Sequence, residues 1–300
     1  MSFTIIYFSH GCIFAELFLS GIFIMTGDDP LADVTSELET TEISKNSDHL
    51  VHRKRRIVRE TPLTIEIKDV AAFTIMCTPC DTVALAVGFV FSEGLIERRE
   101  DINVLARCPD NPHVIRMQLA QKKDRPPGRH LLIVSSCGIC GSEDMEKIIA
   151  SLPRVPDTLR VTAEQLTAMT ELLRQRQEIF PLTGGTHAAG IISRDKLVAV
   201  GEDIGRHNAF DKAVGKCLLE GIETAGTAAV LSSRVSFEMA AKAARAGIEL
   251  VAAVSAPSSL AVETAQRCHI TLCGFVRGSE ANIYCHPHRI SLLDSATPIP

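Results

Sequence analysis

Tryptophan is absent from this 300-residue chain, and tyrosine occurs only twice. The first absence weighs against a thioredoxin-like dithiol centre, where Trp and Pro usually accompany the Cys pair. Basic residues are not in excess, since 31 Lys and Arg against 36 Asp and Glu leave a formal charge of −5. That excludes a generic basic nucleic-acid binder. Ten cysteines, irregularly spaced, are too few for a secreted disulfide framework and suit a reducing compartment with a few chemically employed thiols. Walker-type and Rossmann fingerprints, the G-x-S-x-G elbow and internal repeats are all missing. The remaining composition, 46% hydrophobic and 22% charged, is that of a globular protein rather than a disordered one. The length suits two domains or one large one, and the compartment is expected to be the cytosol.

No Lys or Arg precedes Lys45, so the apolar stretch from Phe3 to Met25 lacks the basic n-region of a secretory signal. It could just span a bilayer, but Glu16 near its middle would be costly there, and no second span follows. Met25, followed by Thr26-Gly27-Asp28-Asp29-Pro30, is the expected start, with a single membrane anchor as the alternative. From Thr26 to about Asp48 the chain is acidic, Ser/Thr-rich and aperiodic, the pattern of a flexible leader. The run His52-Arg53-Lys54-Arg55-Arg56 reads either as a phosphate-attracting patch or as a solvated edge before a strand.

Beyond it, Leu63 to Lys68, Ala72 to Cys77 and His113 to Leu119 carry strand patterns, and Asp81 stands as N-cap of a helix from Thr82 to Phe91. Residues 122–128, with two prolines, form a loop and a boundary. Strands are expected at Leu131–Val134, Lys196–Val200, Thr227–Leu231, Glu249–Val254 and Ile270–Phe275. Helices are expected at Ser142–Ala150, Thr162–Ile179, Asn208–Leu219, Phe237–Ala246 and Ser259–Cys268, the second opening on a Thr162/Gln165 capping box. Such alternation implies a layered α/β domain. The expected division is a poorly structured leader over 1–56, a small β-rich domain over 57–129, an α/β domain over 130–291 and a tail over 292–300.

Four constellations carry chemistry. Ser135-Ser136-Cys137-Gly138-Ile139-Cys140-Gly141 lies between an expected strand and an expected helix, where helix amides favour a thiolate. A redox dithiol, a zinc half-site completed by Cys77 and Cys80, a persulfide carrier and a structural thiol pair all remain open for it. Thr183-Gly184-Gly185-Thr186-His187 and Gly201-Glu202-Asp203-Ile204-Gly205-Arg206-His207-Asn208 set exposed amides and a planar cation at a strand-to-helix junction, where ligands of open α/β sheets bind. His187 and His207 taken singly read as structural histidines. Ser232-Ser233-Arg234-Val235-Ser236-Phe237-Glu238 repeats that arrangement, with Ser236 either an N-cap or a ligand contact. Gly274-Phe275-Val276-Arg277-Gly278-Ser279-Glu280 offers a ring and a cation in one loop, or else an ordinary hairpin turn.

Taken together with Thr78-Pro79 and Leu85-Ala86-Val87-Gly88-Phe89-Val90-Phe91-Ser92-Glu93-Gly94-Leu95-Ile96, these motifs resemble the formate dehydrogenase accessory sulfurtransferase family (FdhD) from roughly Thr61 to Ile290. The resemblance implies a cytosolic accessory protein that takes sulfur from a cysteine desulfurase. It would pass that sulfur to the bis-molybdopterin guanine dinucleotide form of the molybdenum cofactor for formate dehydrogenase. It further implies a cytidine-deaminase-like α/β domain with a smaller β-rich N-terminal part, a homodimer, and neither a nucleic-acid nor a membrane partner. By the same resemblance Cys137 looks like the persulfide-forming cysteine and Cys140 its partner. Phe275, Val276, Arg277, Gly278, Ser279 and Glu280 look like the cofactor-binding stretch, and Arg206, His207, Asn208 and Arg234 like further phosphate or guanine contacts. The zinc deaminase signature is missing, so deaminase chemistry is not expected to travel with the fold. Ser233 stands where the family usually has Gly, and the family assigns no role to Cys77 and Cys80. Two rival functions are a non-catalytic chaperone for cofactor or apoenzyme, and a zinc protein using both Cys pairs.

Overall fold

The computed structural model describes residues 31–45, 49–120 and 142–292. The Phe3–Met25 stretch, the strand expected at Leu131–Val134 and the Cys137/Cys140 turn lie outside the described residues. Contrary to the expected leader, the acidic stretch contains strand β1 (Thr35–Glu42), which pairs antiparallel with β2 (Val51–Val58). The register gives the reason. Glu37 faces Arg56, Glu39 faces Lys54, and Glu42 forms ion pairs with Arg53 and Arg55. Cross-strand charge pairing here replaces the apolar alternation by which strands are usually recognised. The basic run is therefore a solvated strand matched to an acidic one.

A four-stranded sheet follows, made of β3 (Thr61–Ile67), β4 (Ala71–Cys77), β5 (Ile102–Cys108) and β6 (Asn111–Leu119) in the order β4-β3-β6-β5. Leu63, Ile65 and Ile67 alternate inward, as the period of a half-buried strand requires. Between β4 and β5 runs α1 (Thr82–Ser92), buried on nearly every side. Asp81 precedes it but caps nothing: its φ is 51° and its carboxylate pairs with Lys216 at 2.8 Å.

The larger layer begins with α2 (Ser142–Ser151), β7 (Val161–Thr162) and α3 (Ala163–Gln175). The Thr162/Gln165 box closes as its spacing predicts, with bonds of 3.1 and 2.6 Å. The helix stops before the expected Ile179, because the chain turns into the short α4 (Phe180–Thr183). Next come β8 (His187–Ser193), β9 (Lys196–Asp203), α5 (Arg206–Glu220), β10 (Ala228–Leu231), α6 (Phe237–Arg245), β11 (Leu250–Ala253) and α7 (Ser259–Cys268). The chain ends in β12 (Thr271–Arg277), β13 (Glu280–Cys285) and β14 (Ile290–Ser291), the last paired with β7. Gly247 closes α6 at φ 69°, with the Ile248 amide donating to the Ala243 carbonyl, a glycine C-cap.

The six-stranded sheet has the order β13-β12-β11-β10-β8-β9. Strands β10, β11 and β12 run parallel, whereas β8 is antiparallel to β10 and β9 to β8. That arrangement has one functional consequence. His187 lies opposite Asp203 and Ala189 opposite Leu231, so the start of β8 and the ends of β9 to β12 share one rim.

The two sheets bury a common apolar core that includes Leu63, Ile115, Leu85, Val214, Leu231 and Val251. Helices α1 and α5 cross in backbone contact. A Cβ at Gly88 would sit 1.8 Å from the Asp211 carbonyl oxygen, and one at Gly215 1.9 Å from that of Ala84. Cys77, Cys80, Cys108, Cys217, Cys268, Cys273 and Cys285 are all buried.

Candidate functional site

At the rim, two adjacent carboxylates leaving β9 do different work. Glu202 accepts the amides of Glu178, Ile179 and Phe180 at 2.9, 3.0 and 2.6 Å and the Thr186 hydroxyl at 2.7 Å. It thereby folds the α4 turn and the following glycines against the sheet. Asp203 accepts the amides of Thr78 and Gly205 at 3.0 and 2.8 Å, the Asn208 side-chain amide at 3.0 Å and the Lys212 ammonium at 2.7 Å. Lys212 is fully buried and also donates to the carbonyls of Thr78 and Glu202, both at 3.0 Å. Burial alone would discharge it, but Cys80 and Asp203 outweigh that effect and raise its pKa.

This hub aims the start of α5 at the rim. Asn208 is itself buried and spends its amide nitrogen on Asp203 and the Met76 carbonyl, which makes it a strut of the loop. Arg206 and His207 beside it are half-buried. The Nε2 atom of His207 meets Glu238 Oε2 at 2.8 Å, with the Ser236 hydroxyl 3.3 Å from the same oxygen. Burial works against the Glu238 carboxylate, but His207, Ser236 and Arg206 hold its pKa below the ordinary value. Ser236 occupies the N-cap position of α6 without a side-chain cap bond, its hydroxyl lying on Glu238 instead, so the N-cap reading is not realised. Arg234 is exposed on the same loop. His187 is half-buried at the start of β8, and its pKa is lowered by burial first, then by Arg206 and Arg234.

The Phe275 to Glu280 stretch is a β-hairpin whose bulge turns one ring outward. Phe275 is 40% exposed at φ 52°, a conformation costly for an aromatic L-residue. The Arg277 guanidinium lies 5.8 Å from the centre of that ring, and its Nε donates to the Val254 carbonyl at 2.8 Å. Val276 points into the core, Gly278 and Ser279 make the turn, and Glu280 pairs in register with Arg277.

Between these elements and α3 opens a cavity of about 520 Å³. Its wall includes Arg174, Phe180, Gly184, Thr186, His187 and Arg277. His187 thus lies between the cavity and the cations Arg206 and His207 of α5 and Arg234 of the β10–α6 loop, Arg206 and Arg234 acting on its ring. Sequence reasoning set His187 aside and did not single out Glu238 or Lys212 for the site. A usable signal was the spacing of Asn208 and Lys212, four apart on one helical face beside an Asp-Ile-Gly turn.

Cys77 and Cys80 lie beneath this site rather than in it. Burial pushes their thiols up to about 12 and about 11, so both stay protonated at neutral pH. The Lys212 ammonium stands 3.5 Å from Cys80, a charge that opposes a bound cation there. Thiols held protonated beside an ammonium are poor zinc ligands.

A family model described as FdhD/NarQ matches residues 58–291. A curated relative from Thermoplasma volcanium, described as sulfur carrier protein FdhD, is 36% identical over 250 residues, covering 79% of this chain and 90% of its own. One of the same description from Streptomyces coelicolor is 38% identical over 259 residues, covering 80% and 90%. A crystal structure from Desulfotalea psychrophila, described as that of a candidate formate dehydrogenase accessory protein, aligns with a TM-score of 0.73 at 23% identity, over 86% of this chain and all of that one.

Proposed function

The chain belongs to the FdhD/NarQ family, and from that premise we propose that it is a cytosolic sulfur carrier serving formate dehydrogenase. In this reading Cys137 receives a sulfane sulfur from a cysteine desulfurase. Its thiolate attacks the outer sulfur of the donor persulfide, the donor S–S bond breaks, and the donor leaves as a thiol while Cys137 holds the persulfide. Cys140 assists by exchange. The sulfur then passes to the substrate, the molybdenum cofactor in its bis-molybdopterin guanine dinucleotide form. The working unit is a homodimer.

The observation that carries this reading is the union of an open cavity with a cationic rim. The substrate carries pyrophosphate anions and guanine rings. Arg206 and Arg234 have no hydrogen-bonded acid among the described residues, and a guanidinium fork suits phosphate oxygens. The outward ring of Phe275 with Arg277 beside it suits a stacked base. A chain of net charge −5 needs such a local patch to attract an anion. Asn208 positions the loop rather than touching the substrate. The alternation of parallel strands with helices behind an antiparallel β8/β9 pair supports a cytidine-deaminase-like layer.

The test is Cys137→Ala in cells and in vitro. Formate dehydrogenase activity is lost, and mass spectrometry after incubation with desulfurase and cysteine finds no added sulfur, while guanosine monophosphate binding persists. Activity at the wild-type level would refute the carrier role and favour a chaperone that only holds the cofactor.

A further inference from the structure

His187 stands where the cavity meets the cations of the rim, and its backbone is fixed on both sides. Its strand pairs with β9 through Asp203, the next amide, Ala188, donates to the Ser232 hydroxyl at 2.8 Å, and Thr186 before it is tied to Glu202. Among the described residues its ring makes no hydrogen bond, although it lines the open volume. The acids in its surroundings are engaged elsewhere. Asp203 of β9 holds Lys212 at 2.7 Å, Glu238 of α6 holds His207 at 2.8 Å, and on the cavity wall Glu171 of α3 holds Arg174 at 2.7 Å. The cations are less fully matched. Arg206 and His207 of α5 and Arg234 of the β10–α6 loop act on the ring, and Arg277 of β12 shares the cavity wall. An imidazole without a partner, set among guanidinium groups at the mouth of a cavity, is complementary to an anion.

We propose that His187 is a phosphate ligand, its imidazole taking up a proton from solvent as the pyrophosphate of a bound nucleotide settles against Arg206 and Arg234. This deepens the reading of the rim as the grip for the substrate's nucleotide arms and rests on it. The sign follows from the neighbours. Without ligand, burial and then the two guanidinium groups hold the His187 pKa below its ordinary value, and Asp203 offsets them only in part. The free ring is therefore neutral at neutral pH. A pyrophosphate diester carries a negative charge on each phosphate, offsets both guanidinium groups and gives the ring N–H groups an oxygen to donate to, so in the complex the imidazolium is favoured. Proton and anion then promote each other's binding by the same factor. His207 already has a carboxylate 2.8 Å from Nε2, whereas His187 has none.

The experiment titrates the full chain with diguanosine pyrophosphate by calorimetry, in paired buffers of different ionisation enthalpy, across roughly pH 5 to 8. A diester is the right probe because, unlike guanosine monophosphate, it has no phosphate ionisation near about pH 6. The wild type takes up as much as about one proton per ligand, and its affinity climbs as pH falls, by up to about tenfold per unit. That gain is complete below the lowered value of the free ring and is lost as pH rises through the raised value of the bound one. In His187→Gln the uptake disappears and the affinity no longer depends on pH in this range. Proton NMR of the wild-type histidine rings keeps the test independent of how the variant folds: one ring titrates below about 6.5 alone and above it with the diester. Uptake that persists in a folded His187→Gln, or the lack of any ring whose titration moves up on binding, overturns the proposal. A wild type that does not bind the diester at all would instead refute the nucleotide grip, and this role with it.

Discussion

Removing the carboxylate of Glu202 tests the claim that one buried acid shapes the cavity wall. In Glu202→Gln the side chain keeps its volume, but one oxygen becomes an NH2 group pointing at donors. Four donors converge on the native carboxylate, and those of Ile179 and Thr186 are buried, whereas those of Glu178 and Phe180 lie close to solvent. Water can replace the exposed pair, and the Ile179 amide and Thr186 hydroxyl bond different carboxylate oxygens, so the NH2 group orphans one buried donor, at about 1 to 3 kcal/mol. A loss of roughly 1 to 3 kcal/mol of stability follows, or about 3 to 12 °C in Tm for a chain of this size. Urea unfolding with an unchanged m-value separates this from a change in the unfolded state. Affinity for guanosine monophosphate falls as well, because Phe180, Gly184 and Thr186 lose their anchor. If the variant melts within about 2 °C of wild type, the convergence of donors on Glu202 is not what holds this wall.

Gly88→Ala forces a methyl into the Asp211 carbonyl and should cost at least about 3 kcal/mol by urea titration; a neutral result would mean that α1 and α5 do not touch there. Burial works against the Glu249 carboxylate, but Thr158, Leu159 and Arg289 overcome this and lower its pKa. The unfolded chain therefore binds the proton more readily, so this stabilisation is complete above the unfolded value of about 4.3 and is lost as pH falls through the lower native value. Glu249→Gln should cost about 3 to 5 kcal/mol at neutral pH and flatten the acid limb of the stability profile, as calorimetry between about pH 3 and 7 would measure. Phe275→Gly relieves a positive-φ aromatic, worth roughly 1 kcal/mol or more, so Tm should hold or rise while guanosine monophosphate binding weakens. A parallel loss of both would mark the ring as structural.

Much of the larger layer was legible because its strands and helices announce themselves by hydrophobic period. The helix at Ser259–Cys268 has the expected bounds, and the other helices from α5 onward differ only at their ends. The grouping of the Gly-, Arg- and His-bearing turns was legible too, since each interrupts a strand-helix junction. The β1/β2 hairpin escaped notice because it is specified by charges matched across two strands, a relation invisible along either one. Strand β8 was hidden by the glycines of its approach, which read as a ligand loop. The reach of Glu202 and Asp203 to amides of distant segments depends on a turn after α3 and a turn after β4, and no local pattern encodes such pairings.

The seven buried cysteines have a consequence for a molecule that meets reactive sulfur. Cys77, Cys217 and Cys273 each have their ionisation pushed up to about 12. Sealed from solvent and denied their anionic form, such side chains are inert toward electrophiles that would otherwise scatter label or cargo across the polypeptide. Packing thus acts as chemical insulation, and a reagent applied to the native fold will discriminate against these three positions without any change to the sequence.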